Sequence, residues 1–261
     1  MKISYPIRIN RYLALNNYAT RVGADELIKK GLVIINGHKA ILGDKVEEND
    51  KVEVSNKALK NNYAYYAYNK AIGVSTNKEL GCKDILSVTK FPRPLPSPPL
   101  GRGRENYVFP VGRLDKDSHG LILMTNDGRV TDRLLSPKYV HEKEYVVKVE
   151  PNFSDKFIKL MGSGVHFDGF ISKKCKVWPA RHVSQGDAGG PANKSTNTFH
   201  IILTEGKKRQ IRRMCEALHH KVIDLKRIRI MNIELGKLPI SEYREIEGKE
   251  LDELLRSLQL R

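Results

Sequence analysis

The chain has 261 residues, 40% of them hydrophobic, which suits a folded protein with one large domain or two of unequal size. Lys and Arg number 46 against 30 Asp and Glu, and the formal net charge of +16 favours a polyanion such as nucleic acid as the partner. No apolar run reaches the roughly 20 residues that span a bilayer, and the N-terminus lacks the apolar region of a signal peptide. We therefore expect a cytoplasmic protein that does not act at a membrane. Three widely spaced cysteines, Cys82, Cys175 and Cys215, predict neither a disulfide framework nor a zinc site.

Residues 7 to 54 predict a compact unit of two helices and a β-hairpin. The apolar helical positions are Ile9, Leu13 and Leu15 in the first helix and, after an N-cap at Thr20, Ala24, Leu27 and Ile28 in the second. Gly31 ends the second helix. A strand at 32–35, the type I′ turn residues Asn36-Gly37 and a closing strand at 51–54 complete the unit.

Cations lie along the two predicted helices, where they suit a phosphate backbone: Arg8, Arg11, Arg21, Lys29 and Lys30. The stretches INRYLA, TRVGADELIKKGLVIINGHKA and GDKVEENDKVEV resemble the S4-type RNA-binding module, which often has two adjacent arginines where this chain has Arg21-Val22. The resemblance implies an S4-like RNA-binding domain at 1–56, followed by a linker at 57–62. An ordinary helix and hairpin with solvated cations is the alternative.

Residues 63–261 predict an α+β domain with a mixed, largely antiparallel sheet. Strand candidates lie at 63–70, 107–111, 142–150, 175–179, 198–205 and 228–235, and helix candidates at 128–135, 154–161, 208–218 and 249–258. Two segments do not fit this pattern. Residues 90–106 are proline-rich and residues 180–197 are polar and glycine-rich, so both predict inserted, mobile loops.

The stretch VFPVGRLDKDSHGLILMTNDG, residues 108–128, is the most informative one for chemistry. A strand runs into Gly112, Arg113 and Asp115 follow on a loop, and the apolar LILMT leads to an Asn-Asp-Gly turn. Asp115 is therefore either a catalytic carboxylate or an ordinary turn aspartate, because loops hold both. The chain has no P-loop, dinucleotide fingerprint or metal-ligand spacing, so we expect no cofactor and no metal.

Three motifs resemble those of pseudouridine synthases. GRLDKDSHGLILMTNDG closely matches the catalytic motif of the branch containing RsuA and RluF, and HEKEYVVKV and EGKKRQIRRMCEALHHKVIDLKRIRIMNI are similar to its second and third motifs. KKCKV and RIRIMN look most like the RluF group, which acts on large-subunit (23S) ribosomal RNA. The usual Lys-Pro-x-Gly is replaced by Lys70-Ala71-Ile72-Gly73.

The resemblance implies a pseudouridine synthase, expected to be a monomer, that isomerises one uridine of large-subunit ribosomal RNA without a cofactor. The same enzyme acting on transfer RNA or small-subunit (16S) RNA is one alternative. An RNA-binding assembly factor that has lost activity is another. The presence of Asp115, Tyr145 and Arg212 argues against the inactive factor.

The resemblance also implies roles for individual residues. Asp115 is the catalytic carboxylate, acting as nucleophile or as base; Arg212 pairs with it; and Tyr145 lies beneath the flipped base. Arg113 fills the space that the flipped base leaves, or contacts phosphate. Arg209, Arg212 and Arg213, at i, i+3 and i+4, would face a common side of one helical turn. The RNA track is expected to include Lys207, Lys208, Arg209 and Arg213.

Overall fold

The computed structural model describes residues 5–16, 18, 19, 21–55, 63–76, 82–89, 91, 108–136, 138–180 and 197–260. The predicted linker at 57–62 lies outside these residues, as does nearly all of the two predicted loops at 90–106 and 180–197. In the part of the chain that is described, no helix is both long and apolar enough to cross a membrane. The three cysteines are free thiols.

The N-terminal unit contains two helices and five short strands: β1 Ile7–Arg8, α1 Ile9–Leu15, α2 Arg21–Lys29, β2 Val33–Ile35, β3 His38–Lys39, β4 Lys45–Val46 and β5 Val52–Val54. Asn36 and Gly37 both have positive φ, which confirms the predicted turn. The strand that follows this turn is β3, which was not predicted, and the predicted closing strand is β5 on the other edge of β2. Leu13, Leu27 and Val33 are buried at the centre of this unit.

The larger unit is an α+β domain. Its strands are β6 Tyr65–Lys70, β7 Phe109–Pro110, β8 His119–Thr125, β9 Lys143–Glu150, β10 His166–Phe167, β11 Phe170–Ile171, β12 Lys176–Pro179, β13 Thr198–Leu203, β14 Lys221–Ile230, β15 Ile233–Glu234 and β16 Tyr243–Glu245. Its helices are α3 Ile85–Val88, α4 Gly128–Leu134, α5 Asp155–Ser163, α6 Gln210–Ala217 and α7 Gly248–Ser257. The four predicted helices correspond to α4, α5, α6 and α7.

One large sheet has the strand order β12-β13-β9-β14-β8-β6-β16, with β15 beside β14 and β7 beside β8. All of its strand pairs are antiparallel except β14 with β8, which confirms the prediction of a mixed, largely antiparallel sheet. The strand predicted at 228–235 was wrong in its bounds. The chain forms β14 from residue 221 and then turns into β15, and Asp224, Lys226 and Arg227 hid the first part of β14 by interrupting its apolar pattern.

Hydrophobic side chains hold the helices on this sheet. Phe157 of α5 and Met214 of α6 pack with Phe199 of β13 in one core. Leu254 of α7 packs with Leu121 of β8 in a second. Burying each of these large side chains stabilises the fold by about 1.5–3 kcal/mol. The two cores fix the ends of β8, β13 and α6, from which the site residues project.

The parallel contact between β8 and β14 depends on Gly120. Gly120 lies opposite Arg227, and a Cβ at residue 120 would lie 2.2 Å from the Arg227 carbonyl oxygen. Its φ of +102° is also one that side-chain-bearing residues rarely adopt. The Arg227 Nε donates a hydrogen bond of 2.7 Å to the Leu121 carbonyl, which reinforces the contact. A residue without a side chain is therefore required at this position.

We predict that Gly120→Ala lowers the free energy of unfolding by about 3 kcal/mol or more, because the methyl group meets backbone and the φ is strained. Gly128→Ala is the matched control, since it lies at the start of α4 and a Cβ there would meet nothing within 4 Å. The control should be neutral or slightly stabilising. Urea unfolding of both variants is the measurement, and equal stabilities would contradict the assignment.

Candidate active site

The loop at 111–118, between β7 and β8, carries Asp115 and is clamped by the segment that follows β6. The Thr76 hydroxyl donates to the Leu114 carbonyl at 2.7 Å and accepts from the Leu114 amide at 3.0 Å. The Gly73 amide donates to the Lys116 carbonyl at 2.8 Å. Bonds to backbone on both sides of Asp115 fix its position, as a preorganised catalytic group requires.

Lys70 fastens the same segment from inside. Its fully buried ammonium donates to the carbonyls of Ala71 and Val74 at 3.0 and 2.7 Å, so the turn that lacks the family's proline is held by the lysine side chain. Burial lowers the pKa of Lys70 to about 8, although attraction to Asp115 and Asp117 opposes this. A cation therefore lies behind the loop.

Arginines of the 209–212 segment hold the loop from the other side. The Arg212 guanidinium donates to the Asp117 carbonyl at 2.9 Å and to the Ser118 hydroxyl at 3.3 Å, and its Nε lies 3.3 Å from the Asp117 carboxylate. Arg209 forms two hydrogen bonds to that carboxylate, at 2.9 and 3.2 Å. The expected pairing of Arg212 with Asp115 is thus wrong in this structure, because Asp117 is the carboxylate within its reach.

These contacts favour ionised Asp117. Desolvation raises the pKa of Asp117, but the hydrogen bond from Arg209 and the charges of Arg212 and Arg209 outweigh it and lower the pKa overall.

The expectation that Arg209, Arg212 and Arg213 face a common side is also wrong for Arg213. Its Nε lies 2.9 Å from Asp168, whereas Arg209, the left-handed residue before α6, meets Arg212 at Asp117.

A cleft of about 1160 Å³ contains six of the predicted site residues. Its walls include Asp115, Tyr145, Arg113, Lys207, Lys208 and Arg209, whereas Arg212 and Arg213 do not line it. Tyr145 is half-buried and lies directly opposite Arg227 across β9 and β14, with the Arg227 guanidinium 6.0 Å from its ring centre. The cleft therefore brings together a carboxylate, an aromatic ring and cations.

The cleft residues that the sequence reasoning missed include Lys143, Arg227 and His141. Burial lowers the pKa of Lys143 to about 8, and repulsion from Arg227 acts in the same direction. Burial and the charge of Lys143 lower the pKa of His141, against a hydrogen bond to the Arg133 backbone. Side chains alternate between the two faces of a strand, so Lys143 and His141, two and four residues before Tyr145, are expected on the same side as Tyr145.

The predicted RNA-binding residues occupy two separate places. Lys207, Lys208 and Arg209 are exposed at the cleft, where the Lys207 ammonium lies 4.7 Å from the Phe170 ring centre. On the N-terminal unit, four of the predicted residues are exposed: Arg8, Arg11, Lys29 and Lys30. The side chain of Arg21 lies outside the described part of the chain. No group of three or more metal-ligating side chains occurs within the described residues.

Comparison with known proteins assigns the fold and the cleft to a family. Residues 64–217 match the family described as RNA pseudouridylate synthase. The chain belongs to that family. Among its relatives is the dual-specificity RNA pseudouridine synthase RluF of Salmonella typhi, 35% identical over 97% of this chain and 80% of the relative. The ribosomal large subunit pseudouridine synthase B of Bacillus subtilis (strain 168) is 32% identical over 95% of each chain.

A solved structure described as a pseudouridylate synthase superimposes with a TM-score of 0.62 over 95% of this chain and 99% of that one. At 24% identity, this likeness bears on the fold alone. The family assignment makes the chain a pseudouridine synthase, an isomerase that moves uracil from a nitrogen to a carbon linkage on its ribose. Such an enzyme needs a site that holds a base beside its sugar.

We predict that Arg212→Lys lowers the turnover number of this pseudouridine synthase by about 10- to 100-fold, because lysine cannot bridge the Asp117 carbonyl and Ser118 together and the loop shifts. Arg213→Lys is the control on the same helix, since Arg213 contacts Asp168 outside the cleft lining. Single-turnover rates at saturating RNA, with thermal unfolding of each variant, test this. Equal rates for the two variants would show that Arg212 does not position the loop.

Proposed function

We propose that this pseudouridine synthase isomerises a uridine of large-subunit (23S) ribosomal RNA, with Asp115 as its catalytic carboxylate and without a cofactor. The observation that carries the proposal is the place of Asp115. It lies on a clamped loop, in the same cleft as Tyr145, within the segment that matches the family. Isomerisation involves no net redox change and imports no group, so a carboxylate and a properly held base suffice.

The contacts of Asp115 suit either role that the chemistry allows. Arg209 and Arg212 both contact Asp117, so within the described residues Asp115 has no ion pair that would occupy its carboxylate. The charge of Lys70 lies within electrostatic reach of Asp115. An ionised Asp115 acts as a nucleophile at the sugar or as a base toward a sugar proton. Arg212 acts as a positioning residue for the loop.

Tyr145 and Arg113 fit the handling of a flipped base. The Tyr145 ring is half-buried in the cleft, where a uracil ring can stack on it. Arg113 is exposed on the catalytic loop two residues before Asp115, and it fills the gap in the RNA stack or contacts a phosphate. Extruding the target base costs a few kcal/mol, which such contacts offset.

The N-terminal unit is proposed as an S4-like RNA-binding domain that adds affinity. Its cations Arg8, Arg11, Lys29 and Lys30 are exposed on or beside α1 and α2. Among the described residues, only Lys29 of these four has a carboxylate within ion-pair distance, that of Glu26 at 3.3 Å. Lysine and arginine side chains exposed on such a unit are available to phosphate. The RNA would then contact this unit and the rim of the cleft together.

The relatives support ribosomal RNA as the substrate class. One is described as acting on the ribosomal large subunit, and the others are described as dual-specificity, so a second RNA class such as transfer RNA belongs in the substrate panel. An inactive RNA-binding factor is the alternative from a different functional class. The intact cleft, with Asp115 and Tyr145 in place, favours the enzyme.

We predict that Asp115→Asn abolishes release of tritium from carbon 5 of labelled uridine in RNA, without metal or nucleotide, while RNA affinity stays within about twofold. The expected loss is at least about 10³-fold, since an asparagine amide serves neither as a nucleophile nor as a base here. Large-subunit, small-subunit and transfer RNA are assayed in parallel. Asp155→Asn, an exposed carboxylate of α5, is the control and should keep wild-type activity. Turnover by Asp115→Asn would contradict the proposal.

We predict that Arg8→Gln/Arg11→Gln/Lys30→Gln reduces the slope of log affinity against log salt concentration by about 2 to 3, because three phosphate contacts are lost. The control Lys237→Gln/Lys249→Gln/Arg256→Gln removes the same charge from exposed positions near the C-terminus. The control should leave the slope nearly unchanged. Equal slopes for both variants would mean that net charge alone, rather than the N-terminal unit, sets the affinity.

A further inference from the structure

The cleft contains three nitrogen groups that lack a hydrogen-bond partner among the described residues, and two of them are buried. Arg227 is 4% exposed, and its Nε is bonded to the Leu121 carbonyl while its Nη2 is buried and has no hydrogen-bond partner. Lys143 is half-buried, and it makes no ion pair or side-chain hydrogen bond within the described residues. The His141 Nε2 is also buried and unpartnered. These three groups line the cleft beside Tyr145.

Two neighbouring cations without a counter-ion are an unfavourable arrangement. An unpaired buried charge is normally neutralised by a partner, and no carboxylate contacts Arg227 or Lys143 in the described part of the chain. Asp117 is occupied by Arg209 and Arg212, and Glu142 and Glu144 are both occupied by Arg229. The arrangement is complete only when the ligand brings negative charge.

The isomerisation supplies such a charge at the base. When the bond between C1′ and N1 breaks, its electron pair leaves with uracil, which becomes an anion with charge on N1, O2 and O4. C5 then bonds to C1′ as the bond between C1′ and Asp115 breaks, where Asp115 is the nucleophile, or as C2′ regains its proton from Asp115, where Asp115 is the base. The proton on C5 is lost as N1 gains one. Between these steps the base is an anion that must stay in the cleft.

We infer that Lys143 and Arg227 form a binding site for the detached uracil anion, next to the Tyr145 ring on which the base is held. This inference rests on the proposed function. The site stabilises negative charge that is larger after detachment than in bound uridine, so it accelerates the detachment step rather than the binding of RNA. A fixed cationic pocket also keeps the base from escaping while it turns.

Arg227→Gln and Arg227→Met separate this role from a structural one. Glutamine places its Nε2 about where the arginine Nε lies, so it keeps the donor to the Leu121 carbonyl and loses Nη2 and the charge. Methionine loses both. We expect single-turnover consumption of the target uridine to fall by about 10²- to 10³-fold in Arg227→Gln, with RNA affinity and thermal unfolding close to wild type. Lys226→Gln, the adjacent cation of β14, is the control.

RNA that contains 5-fluorouridine distinguishes stabilisation of the uracil anion by Arg227 from a purely structural role of this residue. Fluorine withdraws electrons and stabilises the detached base, so the anion depends less on the protein. The loss caused by Arg227→Gln should therefore be at least about tenfold smaller with 5-fluorouridine than with uridine, equivalent to about 1.4 kcal/mol. An equal loss with both nucleotides, or wild-type rates in Arg227→Gln with slow rates only in Arg227→Met, would overturn the inference.

Lys143 adds a pH test. The charged and titratable groups that line the cleft with it are Arg113, Asp115, Lys116, Tyr139, His141, Tyr145, Lys173, Glu205, Lys207, Lys208, Arg209 and Arg227. The anion site requires protonated Lys143, whose pKa is about 8, so kcat/KM should fall as the pH rises through about 8. In Lys143→Arg this fall should move to higher pH, because arginine stays charged. A fall that remains near pH 8 in Lys143→Arg would overturn the assignment of Lys143.

The proposed function and this inference fail in different ways. Wild-type enzyme that is inactive on every RNA, or that remains active as Asp115→Asn, overturns the proposed function and the inference with it. Activity that depends on Asp115 but not on Arg227 or Lys143 overturns the inference alone. Activity that depends on all three, with the reduced loss for 5-fluorouridine, supports both.

Discussion

The approach of β8 to β14 at Gly120 is the constraint on which the site depends. It is the parallel pairing in a sheet whose other pairs are antiparallel, and it brings the carbonyl of Arg227 to a distance that no Cβ allows. The loop with Asp115 leads directly into β8. Arg227 lies on β14, and Tyr145 lies opposite it on β9. A wider spacing between β8 and β14 would separate the Asp115 carboxylate from Tyr145 and Arg227.

The two carboxylates of the loop, Asp115 and Asp117, differ in their charged partners. Asp117 takes Arg209 and Arg212 and so fastens the loop to the start of α6. Asp115 is left to face the cleft, with the buried Lys70 behind the loop. A carboxylate bonded to two arginines would be a poor nucleophile and a poor base, because those bonds stabilise its charge. Because Asp117 binds both arginines, Asp115 keeps the reactivity that the proposed function requires.

Sequence reasoning found the elements whose signals are local. The helices α4 to α7 and the turn at Asn36-Gly37 follow from periodicity and turn chemistry, and the resemblance located Asp115 and Tyr145, which the structure brings into one cleft. The partner of Arg212 could not be read in this way, because Asp115 and Asp117 both lie on the loop that it reaches and only geometry separates them. Arg227 was missed for a related reason. Its burial is created by β9 and β8, which are distant in sequence.

Two lysines oppose folding, Lys70 behind the loop and Lys143 in the cleft. Lys70 and Lys143 have pKa values near 8 in the folded chain against 10.5 for an ordinary lysine. Between about pH 8 and 10.5 the unfolded chain binds more protons, so the stability lost through these two groups at neutral pH returns as the pH rises through that window. Lys70 is compensated by two carbonyls, whereas Lys143 has no such bonds within the described residues. Local sacrifice of stability is typical of a functional site, and Lys143 lies where the proposed reaction develops negative charge.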